Sequence, residues 1–210
     1  MKDITVNRFR AARGRKLAAK ITALSQRLGR PVRILDVGGR PDYWENVGLD
    51  GIGEIVLQNL EAGELSREAS AGPFRTEIGD ARALDGVGDG AYDLVHSNSV
   101  IEHVGLWPDM AAMAAEVRRA GVEGWVQTPA WEFPVEPHFR LPFLHWFAQP
   151  ARRSLLRLSP HYGRQSPAER RNHVDRINLL SHAEMQALFP SSEIWIERVA
   201  LLPKSYVAIW

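Results

Sequence analysis

The chain has 210 residues, 45% of them hydrophobic, enough for one sizeable core with a single elaboration. Lys and Arg number 26 against 25 Asp and Glu, a balance that disfavours a dedicated nucleic-acid binder, and no run of 18 apolar residues offers a transmembrane helix. Cysteine is absent, which removes disulfides, thiolate nucleophiles and cysteine-type zinc sites, and the start of the chain has no apolar signal core, so a cytoplasmic location is expected.

Residues 5–28 read as an amphipathic helix, with Leu17, Ile21, Leu24 and Leu28 along one face. The opposite face carries Arg8, Arg13, Arg15, Lys16 and Lys20 and is expected to be solvated. The run VRILDV follows as a strand that ends at Gly38-Gly39. Further strands are expected at Glu54 to Leu60, Phe74 to Ile78 and Tyr92 to Asn98. A helix then places Leu106, Met110, Met113 and Val117 at helical spacing, with Gly121 as its stop signal. EGWVQTP gives a fifth strand, and SHAEMQALF a last helix whose Ser181 and Glu184 make a capping box. The chain closes on two more strands, which the sequence separates at Pro203-Lys204.

This alternation predicts an α/β architecture: a doubly wound, mostly parallel sheet with helices on both faces and a final antiparallel strand. One domain is expected over residues 1–210, interrupted by an insertion at about 129–180. That insertion has five prolines between 129 and 150 and no clean strand.

In such a sheet, ligands lie outside the carboxyl ends of the strands, at the switch point beside strand one. Gly38 and Gly39 fall there, and their missing Cβ atoms permit close approach. A dinucleotide loop would continue with further glycines, but Arg40, Pro41 and Asp42 stand in those places. Asp36, just before the glycines, would repel a pyrophosphate and suits a cationic ligand. Strand two ends at Asn59 or Glu61, where a ribose diol would be held. Strand three ends with Asp80 and the Ala81 amide, suited to an adenine edge. Strand four ends at Ser97 and Asn98, shortly before Glu102 and His103.

Taken in this order, ILDVGG, VLQNLE, GDARAL, YDLVHSNSVIEHV and the terminal SYVAIW resemble the class I S-adenosylmethionine-dependent methyltransferases, of the small bacterial, type 11-like kind. The resemblance covers roughly residues 30–130 and 181–210 and implies a Rossmann-like, seven-stranded sheet with the last strand antiparallel. It also implies S-adenosyl-L-methionine as cofactor and S-adenosyl-L-homocysteine as product. Asp36, Gly38 and Gly39 would cradle the methionine part, and Asn59 with Leu60 would lie at the ribose. Asp80 and Ala81 would flank the adenine, and Ser97 and Asn98 would lie near the methionine end. Two departures stand out: the shortened glycine loop, and an amide at Asn59 where the family usually has an acid. More loosely, the DVGG…YW variant is similar to bacterial members that modify glycans and secondary metabolites.

The acceptor side is expected to be formed by the insertion and its surroundings, with Trp125, Trp131, Phe133, Phe139, Phe143, Trp146 and Phe147. Aromatic faces with a few polar groups suit a sugar or an aromatic ring, so a hydroxyl of a sugar or oligosaccharide is the expected acceptor. An alcohol must lose a proton, and His145, His138 and His103, the last beside Glu102, are the candidate bases. A quinone, phenol or lipid-precursor acceptor, or a catalytically silent cofactor-binding protein, are the alternatives. Glu102, His103, Glu136 and His138 could also gather around a divalent cation, since imidazole and carboxylate ligands suit one, but their spacing matches no recognised metal pattern and no metal ligand is assigned. The arginines from Arg152 to Arg176 read as a solvated or interfacial set, with an anionic substrate as the functional alternative. The surface of the first helix or of the insertion could support a homodimer.

Overall fold

The computed structural model describes residues 4–61, 72–135, 138–139 and 141–210; Glu136 and the side chain of Arg8 lie outside the described set. Its strands form a seven-stranded sheet in the order β3-β2-β1-β4-β5-β7-β6. In sequence these are β1 (Val32–Val37), β2 (Ile52–Asn59), β3 (Phe74–Ile78), β4 (Tyr92–Asn98), β5 (Gly121–Pro129), β6 (Glu193–Val199) and β7 (Leu202–Ile209). The helices are α1 (Ile4–Leu28), α2 (Pro41–Trp44), α3 (Trp107–Ala120), α4 (Gln149–Leu155), α5 (Pro167–Asp175) and α6 (His182–Leu188). No described helix is long and apolar enough to cross a membrane.

The chain divides into two compact units, one of Met1–Asn98, Ala112–Val126 and Ile209–Trp210, the other of Ser99–Ala111 and Gln127–Ala208. In the first unit β1 pairs in parallel with both β2 and β4, and β2 with β3. The chain thus turns back on itself between β1 and β4, which makes their carboxyl ends the switch point. Apolar runs such as ILDV and LVH are buried on both faces, as parallel strands require. Leu17, Ile21 and Leu24 of α1 are at most 3% exposed, each removing apolar area worth roughly 1.5–3 kcal/mol. Leu28, in the last turn, is partly exposed.

The face of α1 expected to be solvated is not uniformly so. Arg13 is only 8% exposed, and its Nη1 donates to Asn98 Oδ1 at 2.6 Å. Lys20 is paired with Glu123. Both cations are drawn inward by acceptors on strands far away in sequence.

In the second unit Phe139, Leu144, Leu156, Val174 and Ile177 form a core of their own inside the insertion. Here α5 starts on a capping box from Ser166 and Glu169, and α6 on the expected box from Ser181 and Glu184. The β6–β7 hairpin turns at Ala200-Leu201, with Ala200 at φ +53°, rather than at Pro203-Lys204. Pro203 lies near the start of β7, a position where its missing N–H is tolerated, and Lys204 O accepts from Ala130 N. Strand β7 runs antiparallel to β5: Gly124 N donates to Trp210 O and Ala130 N to Lys204 O, the partner number falling as β5 rises. Leu106 is 68% exposed because α3 begins only at Trp107, with Leu106 N donating to Asp109; Met110, Met113 and Val117 are buried as the spacing predicts.

Candidate active site

The first unit holds a cavity of about 250 Å³ at the switch point. Asp36, Gly38 and Gly39 line it from the end of β1, His96 and Asn98 from β4, Tyr43 and Asn46 from α2 and its exit, and Arg10 and Gly14 from α1. Strand register explains the first contact: Asp36 is the direct partner of His96 across β1 and β4, so both side chains share one face. Asp36 is 1% exposed; its Oδ1 lies 2.6 Å from His96 Nδ1, and its Oδ2 accepts from Trp44 Nε1 at 2.8 Å. A carboxylate only accepts, so Nδ1 of His96 carries the proton. The other ring nitrogen, Nε2, is buried and has no hydrogen-bond partner among the described residues.

Backbone shape keeps the cavity open. Gly38 sits at φ +69°, donating to Gln58 O, and a Cβ on Gly39 would stand 2.1 Å from Asp36 Oδ2. A Cβ on Gly14 would stand 2.4 Å from Asn46 O, so glycine there lets α1 close against the loop after α2. Asn59 Nδ2 donates to Gly39 O at 3.0 Å and braces the glycine loop from β2.

The other residues expected at the cofactor are placed as follows. Ser97 is buried, its hydroxyl donating to Val37 O, and Leu60 is 64% exposed. Asp80 accepts from the Arg82 guanidinium at 2.6 Å and from Arg82 N, which holds its carboxyl below the usual range; Ala81 is buried beside it. Sequence reading missed His96, Trp44, Arg10 and Arg13. His96 lay in plain view within YDLVHSN, but nothing in a local window says that it faces Asp36.

The second unit holds a cavity of about 280 Å³. Its walls include Trp107, Trp131, Phe139 and His145, with Asn178 and Arg152 among the polar groups. His145 is 1% exposed and its Nε2 contacts Trp131 O at 2.9 Å. A neutral ring donating from Nε2 carries its basic lone pair on Nδ1. Arg152 donates to Phe147 O, and burial pulls its pKa down. His103 and His138 meet at 3.0 Å between their Nε2 atoms, and buried Glu102 accepts from Thr128 at 2.9 Å. The expected aromatic set divides. Trp125 belongs to the β5 core of the first unit and Phe139 to the core of the second, whereas Trp131, Phe143, Trp146 and Phe147 are 40–49% exposed.

A doubly wound sheet with an antiparallel seventh strand, carrying its cavity beside a β1 acid and a glycine pair, defines a Rossmann-like methyltransferase fold. Residues 8–189 match the family model described as a methyltransferase domain, and the chain belongs to that family. An uncharacterised protein of Mycobacterium tuberculosis is 28% identical over 118 residues, and that match spans 52% of this chain but only 40% of the relative's length. Among solved structures, a protein described as a SAM-dependent methyltransferase from Methanosarcina mazei aligns with TM-score 0.58 at 12% identity, covering 86% of this chain and 92% of that one. Magnesium protoporphyrin IX methyltransferase from Synechocystis, with bound S-adenosylhomocysteine, aligns at 0.54 and 11% identity over 95% and 82%. A Rhodobacter sphaeroides protein whose provisional description is a Zn-dependent alcohol dehydrogenase aligns at 0.60 and 9% identity over 86% and 83%. At these identities the structural likenesses speak for the fold alone. The chain thus carries a methyltransferase domain of a family that binds S-adenosylmethionine.

The first-unit cavity fits that cofactor on its own chemistry. The methionyl part of S-adenosylmethionine carries a carboxylate, an ammonium and a sulfonium. Arg10 offers a cation, Asp36 and Asn98 offer acceptors, and the orphaned Nε2 of His96 marks a buried polar position calling for a ligand or water.

Proposed function

We propose that the protein transfers the methyl group to a hydroxyl of a small molecule, a sugar or short oligosaccharide, with His145 as the general base. The observation that carries this reading is the second-unit cavity: ring faces from Trp107, Trp131 and Phe139 combined with hydrogen-bonding groups on Gln149, Asn178 and Arg152. Sugars present apolar CH faces and a rim of hydroxyls, and such a lining answers both.

When bound, S-adenosylmethionine supplies an electrophilic methyl on a cationic sulfur. The chain's task is to hold the parts in line and to take one proton. Arg10, Asp36 and Asn98 bind the amino-acid end, with Gly38 and Gly39 leaving room for it. Arg13, Trp44, His96 and Asn59 keep those groups in place. In the second unit His145 Nδ1 accepts the hydroxyl proton while its Nε2–H stays anchored on Trp131 O. Trp131 and Phe139 seat the acceptor and shed water from it.

The same lining supports a second reading. Leu106, Met110, Ile177, Leu179 and Leu180 make much of the wall apolar, which favours a phenol or quinone precursor over a glycan. Radiolabelled transfer across sugars, phenols and amines separates the readings. Labelling of sugars supports the proposal; labelling confined to phenols gives the second reading; labelling confined to amines overturns both.

A further inference from the structure

The cluster of Glu102, His103 and His138 offers one ligand atom from each residue, all within 4.8 Å of one another. We infer that Glu102 Oε1, His103 Nε2 and His138 Nε2 form a binding site for a divalent transition-metal cation of the zinc, cobalt or manganese kind, beside residues that line the second-unit cavity.

The distances suit a cation. Ligands about 2.1 Å from a metal stand roughly 3.0–3.4 Å apart in octahedral or tetrahedral geometry. The two Nε2 atoms already stand 3.0 Å apart, and Glu102 Oε1 lies 4.0 Å from His103 Nε2. A small rotation of the exposed His103 ring toward Glu102, followed by His138, closes the rest. A hydrogen bond between two imidazoles uses one proton and one lone pair; a cation in that place uses both lone pairs and the carboxylate as well.

The supporting contacts are those a metal site needs. His103 Nδ1 faces Arg176 O at 3.3 Å, which directs its proton there and leaves the lone pair on Nε2. Glu102 is fully buried, and Thr128 Oγ1 donates to its Oε2, leaving Oε1 on the side of the histidines. The loop carrying His138 is tied down through His173, whose Nε2 contacts His138 O at 3.2 Å. Two imidazoles and one carboxylate select borderline metals over magnesium or calcium, which take oxygen ligands.

Position gives the site a use. Phe139 and Ile177, which line the cavity, directly follow His138 and Arg176 in the chain. Asn178, also in the wall, donates its backbone N–H to Glu102 O and its side chain to Gly105 O. Three protein ligands leave coordination positions open, and those would take a hydroxyl or vicinal diol of the acceptor. That consequence rests on the methyl-transfer reading; the cation site itself does not.

The test is cobalt binding by the 210-residue chain, stripped with chelator and titrated with cobalt(II) chloride while the visible d–d absorption is followed. A single equivalent giving a tetrahedral or five-coordinate spectrum, displaced by zinc chloride, is the expected result. His138→Ala and His103→Ala should abolish the band, and Thr128→Val, which removes only the support of Glu102, should weaken binding about 10–100-fold. The surface variant His161→Ala should bind as the unaltered chain does. No band in the unaltered chain, or an undiminished band in His138→Ala, overturns the site and leaves a hydrogen-bonded histidine pair. Stabilisation by S-adenosylhomocysteine, measured in the same samples, reports on the methyltransferase reading separately.

Discussion

The two cavities are built from different kinds of structure. In the first unit several wall groups are fixed by a neighbour: Asp36 by Trp44 and His96, Asn98 by Arg13, and the glycine loop by Asn59. Most of these groups come from strand ends, where register places them. In the second unit the wall is drawn from the start of α3, from α4 and α6, from the 3-10 turn that carries His145, and from irregular stretches around Trp131 and Asn178, with Trp107 and Trp131 44% and 40% exposed. The contrast teaches where the chain invests order. A ligand common to a whole family is met by a site organised beforehand, and the region that must suit one particular acceptor is left to irregular structure.

The largest effect should come from Asp36→Ala. It leaves two buried donors, His96 Nδ1 and Trp44 Nε1, without their acceptor, each costing about 1–3 kcal/mol. Denaturant titration should show that loss, and S-adenosylhomocysteine should no longer raise the melting temperature. Wild-type stabilisation by the ligand in this variant would remove the first cavity from the account. His145→Ala should leave ligand stabilisation intact and lower turnover about 10²–10⁴-fold; full turnover would remove His145 as the base. Next is Gly39→Ala, whose Cβ would meet Asp36 Oδ2. Overpacking of that kind costs about 1–3 kcal/mol, so affinity for S-adenosylhomocysteine should fall roughly 10–100-fold with little change in secondary structure by circular dichroism. Arg152→Gln should raise KM about 10-fold for an acceptor bearing a carboxylate or phosphate and leave a neutral acceptor unaffected.

The smallest effect sharpens the contrast through pH. In the first unit Asp93 is held below its usual range by Arg30, and Glu116 by Arg119 with the Leu84 N–H. Their stabilisation is complete above the unfolded carboxyl pKa of about 4 and is lost as pH falls through the lower folded values. Glu116→Gln should therefore cost about 1 kcal/mol at neutral pH and progressively less in acid, as read from melting temperatures across that range. An equal cost at every pH would contradict the assignment.

How much of this was legible in sequence differs between the same two regions. The strands at Phe74–Ile78 and Tyr92–Asn98 match their expected limits, because apolar runs bounded by turn residues are a local signal. Asp36, Gly38, Gly39 and Asn98, four of the residues expected at the cofactor, line one cavity, whereas Asn59, Leu60, Asp80, Ala81 and Ser97 are not among its lining. Arg13 was unreadable: its partner is 85 residues away, and a local window shows only a cation on a polar helix face. Trp125 was grouped with the aromatic loop because it is near in sequence, but as a β5 residue it is fully buried in the first unit. Within the insertion, the Ser166–Glu169 capping box was a signal that could have placed α5, hidden by the surrounding prolines and arginines. The sequence offered His103 and His138 together with Glu102 as a possible cation set, but their contact could not be read, since 35 positions separate the two histidines.

In the proposed division of labour, the first unit binds the cofactor and the second carries out chemistry on the acceptor. Calorimetric titration of S-adenosylhomocysteine into the unaltered chain, Gly39→Ala and His145→Ala tests it most directly. Kd should be the same for the unaltered chain and His145→Ala, and binding much weaker for Gly39→Ala. Equal weakening in both variants, or no binding to the unaltered chain, would contradict it.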